Sequence, residues 1–287
     1  MNPQSKAASN KLYRASDDCS AVARMSLVRR HLQAPSVRRA RRGPPTALSL
    51  IALVLAVAPA AGRDPFPGII GTDDRTIADS TKAPWNAVGH VNVGGYRRIK
   101  QCTGTLVAPD IVITAAHCLT EPGSKERPPL ARVHFLAGVR RDKYLGHGRA
   151  KCLKFLPGFE AANAAGKRRL ASDIAVIVLE EAIATPPAAL LTGGSVPAGK
   201  ILIHASYPRD RRFLLSADLS CQLKGVKRGL WFTDCDTNHG SSGGPLFIYR
   251  DGRPQLAAVM VAVIARKFAV AVPASTWASL VTSRGCK

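Results

Sequence analysis

Aromatic residues are scarce, 6% of 287 with only 3 Trp, too few for the rows of stacking platforms that bind single-stranded nucleic acid. Acidic residues are also few, 19 against 41 Lys and Arg, leaving a net charge of +22. That imbalance raises an anionic partner or surface before any motif is read. Neither C-x-x-C nor H-x-x-x-H spacing occurs among the 7 Cys and 7 His, so a zinc site lacks its usual frame and no metal or organic cofactor is expected. There is no repeat, heptad run or long low-complexity tract, and collagenous, coiled-coil and wholly disordered chains are excluded. The apolar run at 47–58 is shorter than the roughly 20 residues of a membrane span.

What is present begins with an ordinary globular composition, 46% hydrophobic with 24 Gly and 20 Pro, in a chain long enough to bury a full core. Residues 1–46 carry ten Lys or Arg, ending in Arg38, Arg39, Arg41 and Arg42. The apolar run follows and closes on Ala58-Pro59-Ala60-Ala61. Basic, then apolar, then small is the order of an export signal, which predicts cleavage near Ala60 or Ala61. Met25 is an alternative start that would shorten the basic part, and an uncleaved anchor is the competing reading. Removing 1–61 leaves 31 basic and 17 acidic residues, a net of +14, with six cysteines. An even number of exported cysteines predicts three disulfides formed in an oxidising, secreted or periplasmic setting.

Residues 62–287 read as one folded unit. Short apolar stretches at 91–93, 104–107, 111–115, 133–136, 174–179, 201–204, 245–249, 256–263 and 269–272, separated by Gly, Pro, Asn and Asp, predict an all-β barrel or sandwich. Helical exceptions are expected at 115–119 and 275–282, the latter around Trp277, Leu280 and Val281.

Three separated stretches hold the residue types that acyl transfer needs. Thr114-Ala115-Ala116-His117-Cys118 ends an apolar strand with an imidazole beside a cysteine, sixteen residues after Cys102. Ser172-Asp173-Ile174-Ala175-Val176 puts a carboxylate at the head of an apolar strand, shielded from water and able to orient a neighbouring imidazole. Asn238-His239-Gly240-Ser241-Ser242-Gly243-Gly244-Pro245 wraps glycines around a serine, and glycines permit the backbone approach that lets two N–H groups face one oxyanion. Gly240-x-Ser242-x-Gly244 also fits the nucleophile elbow of α/β-hydrolases, but those enzymes place their acid and His after the Ser, and this chain has no His beyond His239.

Together these stretches resemble the trypsin/chymotrypsin-like serine peptidases. Thr114–Cys118 matches the family's TAAHC motif, Asp173–Leu179 its aspartate strand, and Gly240–Pro245 its GDSGGP motif, in the family's chain order. Ile69 to Arg75 resembles the mature amino-terminal region of the bacterial glutamyl endopeptidase-like branch. The resemblance implies two six-stranded antiparallel β-barrels with a short C-terminal helix. It implies His117 as general base, Asp173 as its orienting partner and Ser242 as nucleophile, with Gly240 and Ser242 supplying oxyanion N–H groups. It also implies a Cys102–Cys118 disulfide. Cys221 and Cys235 flank what reads as a hairpin and are expected to pair, which leaves Cys152 with Cys286.

The match departs at Ser241, where trypsin has an aspartate. Activation by a freed amino terminus has no carboxylate there, and the loop is expected to be held by local hydrogen bonds and the Cys221–Cys235 link. Asp236 occupies the position at the base of trypsin's specificity pocket; it reads either as a substrate-binding carboxylate or as a residue bonding its own loop. Val261, Val263 and Ala269 are expected to wall the pocket, narrowing it towards small residues, and His239 to line the cleft. His90 and His204 belong to no motif and read as structural. Basic pairs such as Arg97-Arg98, Arg140-Arg141 and Arg266-Lys267 are dispersed over loops, favouring a solvated surface over adhesion to anionic envelope polymers. No nucleic-acid motif accompanies them. The expected protein is a monomeric, exported endopeptidase acting on proteins or peptides. The rival is a catalytically silent relative that binds polyanions, which would need none of the three motifs.

Overall fold

The computed structural model describes residues 66–94, 100–120, 127–159, 169–282 and 285–286, so the export region lies outside the described residues. The first barrel closes from β2 (Val88–Val93), β3 (Lys100–Ala108), β4 (Ile111–Thr114), β5 (Val133–Ala137), β6 (Gly146–Phe155) and β7 (Ala175–Leu179), in the order β2-β3-β4-β7-β6-β5. Every pairing is antiparallel, as with Val91 opposite both Cys102 and Phe135 and Ile113 opposite Val176. Val91, Ile113, Phe135 and Ile177 are all completely buried, each contributing about 2 kcal/mol by burial.

The second barrel uses β8 (Ile201–Ser206), β9 (Ser216–Lys227), β10 (Leu230–Thr233), β11 (Pro245–Arg250), β12 (Arg253–Ile264) and β13 (Phe268–Pro273). These run β9-β10-β13-β12-β11-β8, and pairing of β8 with β9 closes the ring. The two-residue β1 (Thr76–Ile77) adds to the outside of β9. Asp251-Gly252 joins β11 to β12 with both residues at positive φ, 53° and 71°. That is the backbone of a two-residue turn matched to strand twist. Helix α1 (Ala274–Thr282) ends the fold, with Trp277 fully buried and its indole N–H donating to the Val272 carbonyl at 3.1 Å.

The two six-stranded barrels and the terminal helix agree with the fold expected from sequence, and each predicted strand falls on an observed one. Missing from the sequence reading are the two-residue β1 and strands β6, β9 and β10. In β6 the exposed positions are His147, Arg149 and Lys151, and the buried ones include only Gly148, Ala150 and Leu153. Small inward residues alternating with basic outward ones give little apolar signal, and an irregularity between Ala150 and Cys152 breaks the period-two alternation. The 115–119 helical turn forms as a short 3-10 helix, Ala116–Leu119.

Candidate active site

The 3-10 turn that follows β4 presents His117 to the junction of the barrels. Asp173, completely buried, uses both oxygens on this one residue: Oδ1 accepts the His117 backbone N–H at 2.8 Å, and Oδ2 accepts from ring Nδ1 at 2.8 Å. A carboxylate accepts only, so Nδ1 carries the hydrogen and Nε2 of the neutral ring is left as a base. The Ala116 N–H also donates to the Asp173 carbonyl at 3.2 Å. From behind, the Lys100 ammonium donates to the carbonyls of His117 and Thr120, and Cys118 is bonded to Cys102 on β3. The imidazole keeps about a quarter of its side-chain surface, 28%, open to solvent.

The serine turn is fixed to the same strand. The Thr103 N–H donates to the Ser242 carbonyl at 2.9 Å, and its hydroxyl donates to the Gly240 carbonyl at 3.0 Å. On the other side, the Gly243 N–H donates to the Met260 carbonyl at 2.8 Å and Met260 returns a bond to Gly244 at 2.9 Å. Gly243 is obligatory: its φ is +85°, and a Cβ there would collide with the Thr103 carbonyl and the Thr114 hydroxyl. Consecutive residues of β3, Cys102 and Thr103, thus anchor the histidine segment and the serine segment. Cys118 Sγ lies 3.9 Å from His117 Nε2 and 3.7 Å from the Ser242 carbonyl oxygen, so one sulfur touches both. Among the described residues, no acceptor is paired with the N–H of Gly240 or of Ser242.

Ser241 is buried, and its Oγ accepts from the Ser206 hydroxyl at 2.8 Å and from the Asn238 N–H at 3.3 Å. Beneath the turn, His204 Nδ1 donates to the Pro245 carbonyl at 3.1 Å, leaving Nε2 to accept from the Thr237 hydroxyl at 3.2 Å. Burial pushes its pKa down to about 4, so the ring is neutral at pH 7. Cys221 is joined to Cys235 and Cys152 to Cys286.

Asp236 is buried and bonds residues far from its own loop. Oδ1 accepts the Ile70 N–H at 2.7 Å and Oδ2 the Asp74 N–H at 2.9 Å, while its own N–H donates to Asp218 at 2.8 Å. Burial raises its pKa against the pull of those two bonds. The same amino-terminal strap continues into Arg75, whose guanidinium is 2% exposed and pairs with Asp73 and Asp210 at 2.8 Å. Asp210 in turn accepts from the Asn238 side chain at 3.0 Å. Of the expected pocket walls, Val261 and Ala269 are buried, Val263 is half-buried opposite Ala269, and His239 is exposed. Cys102, His117 and Cys118 have metal-like spacing, but the two sulfurs are bonded to each other and are not thiolate ligands.

Sequence reasoning missed Lys100, Thr103, Ser206 and the Arg75–Asp210–Asn238 chain. Thr103 carried a faint signal in adjoining Cys102; the others join residues far apart in sequence and left none.

Residues 102–255, which are 154 of 287, match the family model for the trypsin-like peptidase domain, and the chain belongs to that family. Over 67 residues it is 34% identical to a glutamyl endopeptidase of Bacillus licheniformis, a match covering 23% of this chain and 20% of that protein. The chain thus aligns with only about a fifth of that relative's length. Its fold is similar to a Glu endopeptidase solved in complex with MPD, with TM-score 0.62 and 22% identity over 74% of this chain and 95% of the other. The VesB protease of Vibrio cholerae gives TM-score 0.58 at 17% identity, covering 72% and 66%. At these identities the two structures speak for the fold alone.

Proposed function

We propose that the protein is an exported serine endopeptidase working through an acyl-enzyme, with Ser242 as nucleophile, His117 as general base and Asp173 as orienting carboxylate. The observation that carries this reading is Asp173 gripping both the backbone and Nδ1 of His117 while the strand beside it anchors the Ser242 turn. Ser242 Oγ attacks the scissile carbonyl as its proton passes to His117 Nε2. The imidazolium is stabilised by Asp173 and returns the proton to the departing amine. The oxyanion is received by the N–H groups of Gly240 and Ser242, which are free to donate; losing one such donor typically costs about 100 to 1,000-fold in turnover. Water then repeats the sequence on the ester.

For specificity, Asp236 already has a backbone donor on each oxygen, so we read it as the anchor of the amino-terminal strap and not as a partner for Lys or Arg. Val261, Val263 and Ala269 instead favour a small apolar residue before the scissile bond. The glutamyl preference in the relatives' names does not follow from these side chains. Export is supported by the basic-then-apolar order of 1–61 and by three disulfides, which suit an oxidising compartment.

The test is casein cleavage by the oxidised full-length protein beside Ser242→Ala, followed by peptide-library profiling. Cleavage lost in the variant, with small apolar residues before the cut site, is expected. Folded wild-type protein that does not cleave, or cleavage surviving in Ser242→Ala, contradicts the reading.

A further inference from the structure

A second concave feature, outside the three motifs, lies beside the oxyanion turn. A cavity of about 470 Å³ opens between the first barrel and the segment that links β8 to β9. His90, Gln101 and Phe213 contribute to its lining, and Arg141, Lys143 and Arg212 are exposed around it. Among the described residues, none of those three cationic side chains has an ion pair or hydrogen bond, and Asp142 is the one carboxylate beside them. His90 contributes no charge: its Nε2 donates to the Arg212 carbonyl at 2.9 Å, and burial pushes its pKa down to about 4. Three cations against the one carboxylate of Asp142 leave the lining with a net positive charge.

Its place relative to the reacting groups follows from β3. Gln101 and Thr103 are two residues apart, about 7 Å along the strand and on the same face. The Gln101 side chain donates to the Tyr207 carbonyl at 3.3 Å, while Thr103 accepts the Tyr207 N–H at 3.0 Å and donates to Gly240. The cavity is thus one step along β3 from the oxyanion turn. The leaving amine receives its proton from His117, whose neighbour Cys118 is bonded to Cys102. The departing segment accordingly lies on the β3 side, and an extended chain at about 3.3 Å per residue reaches the cavity within two to four residues.

We propose that this cavity binds acidic side chains of an extended polypeptide, at the second to fourth positions after the scissile bond, through Arg141, Lys143 and Arg212. The placement after the bond rests on the peptidase reading above; the recognition of acidic peptide does not.

Anisotropy of a dye-labelled peptide on full-length Ser242→Ala tests binding without turnover, using sequences that differ only in Glu or Gln at those three positions. Glu peptide is expected to bind about tenfold more tightly at low salt, the advantage fading as salt screens it. Lys143→Glu with Arg212→Glu, and separately the milder Arg212→Gln, should remove or reduce that advantage. With Ser242 intact, both variants should keep wild-type fluorophosphonate labelling and hydrolysis of a small ester that does not reach the cavity. Equal binding of Glu and Gln peptides, an unchanged preference in both variants, or equal displacement by polyphosphate of any chain length would overturn the proposal. Ester hydrolysis without an acidic preference defeats the cavity alone; acidic preference without labelling or ester hydrolysis defeats the peptidase reading alone.

Discussion

The histidine segment and the serine turn face each other across the barrel junction, yet they are held in different ways. His117 is fixed by near neighbours in the first barrel: Asp173 on two atoms, Lys100 from behind, and the Cys102–Cys118 bond. The Ser242 turn hangs on a largely buried polar assembly gathered from distant parts of the chain, including Ile70, Arg75, Ser206 and Asp210. One arrangement resists disturbance through a few strong local contacts. The other depends on groups that are expensive to leave unpaired, so it is the side through which mutation should act.

That contrast can be broken most sharply at its rigid half. Asp173→Asn retains shape but offers a donor where His117 needs an acceptor, favouring the wrong ring tautomer. Turnover should fall about 10,000-fold with the melting temperature little changed, as steady-state kinetics and circular dichroism would show; a loss under tenfold would separate Asp173 from the chemistry. On the serine side, Arg75→Ala removes a buried guanidinium from Asp73 and Asp210, leaving Arg211 and Asn238 as their partners, and should cost about 3 kcal/mol of stability by denaturant unfolding through its lost charge-assisted bonds. It should also slow fluorophosphonate labelling, whereas wild-type stability would deny the strap its bracing role.

Acid should act on the serine side through His204 and on the first barrel, beside the β8–β9 link, through His90. The pKa values of His90 and His204 fall from an ordinary 6.5 to about 4 in the folded protein. A folded value below the unfolded one means their neutral forms stabilise fully above pH 6.5, and that stability is lost as pH falls from 6.5 through 4. The loss approaches about 3 kcal/mol for each ring. Melting temperatures from pH 7.5 to 4.0 should decline accordingly, and His204→Gln should flatten part of the slope; a flat wild-type profile counts against buried neutral rings. The smallest effect is expected at Thr103→Val, which deletes the hydroxyl bonds to Gly240 and Tyr207. About 1 to 2 kcal/mol of stability should go, with a slower labelling rate.

What could be read beforehand follows the same division. The His117 segment, the aspartate strand and the Ser242 turn are contiguous words whose residue types are dictated by local chemistry and tight backbone geometry. The strands with β-branched inward residues were equally plain. Strand β6 was not, because Gly148 and Ala150 fill its inner face and Arg149 and Lys151 its outer one. Asp236 shows the limit at the site: neighbouring Cys235 and Ser242 suggested a pocket or a loop bond, but its partners are Ile70 and Asp74, more than 160 residues earlier. Such a contact is created by barrel closure and leaves no local spacing to detect.

The central claim is that Ser242 is an activated nucleophile in this setting. Treating the oxidised full-length protein with a fluorophosphonate and mapping the adduct by peptide mass spectrometry tests it most directly. A single adduct on Ser242, formed far more slowly in Asp173→Asn, is the predicted result; folded protein that takes no adduct, or takes it on another serine, would contradict the account.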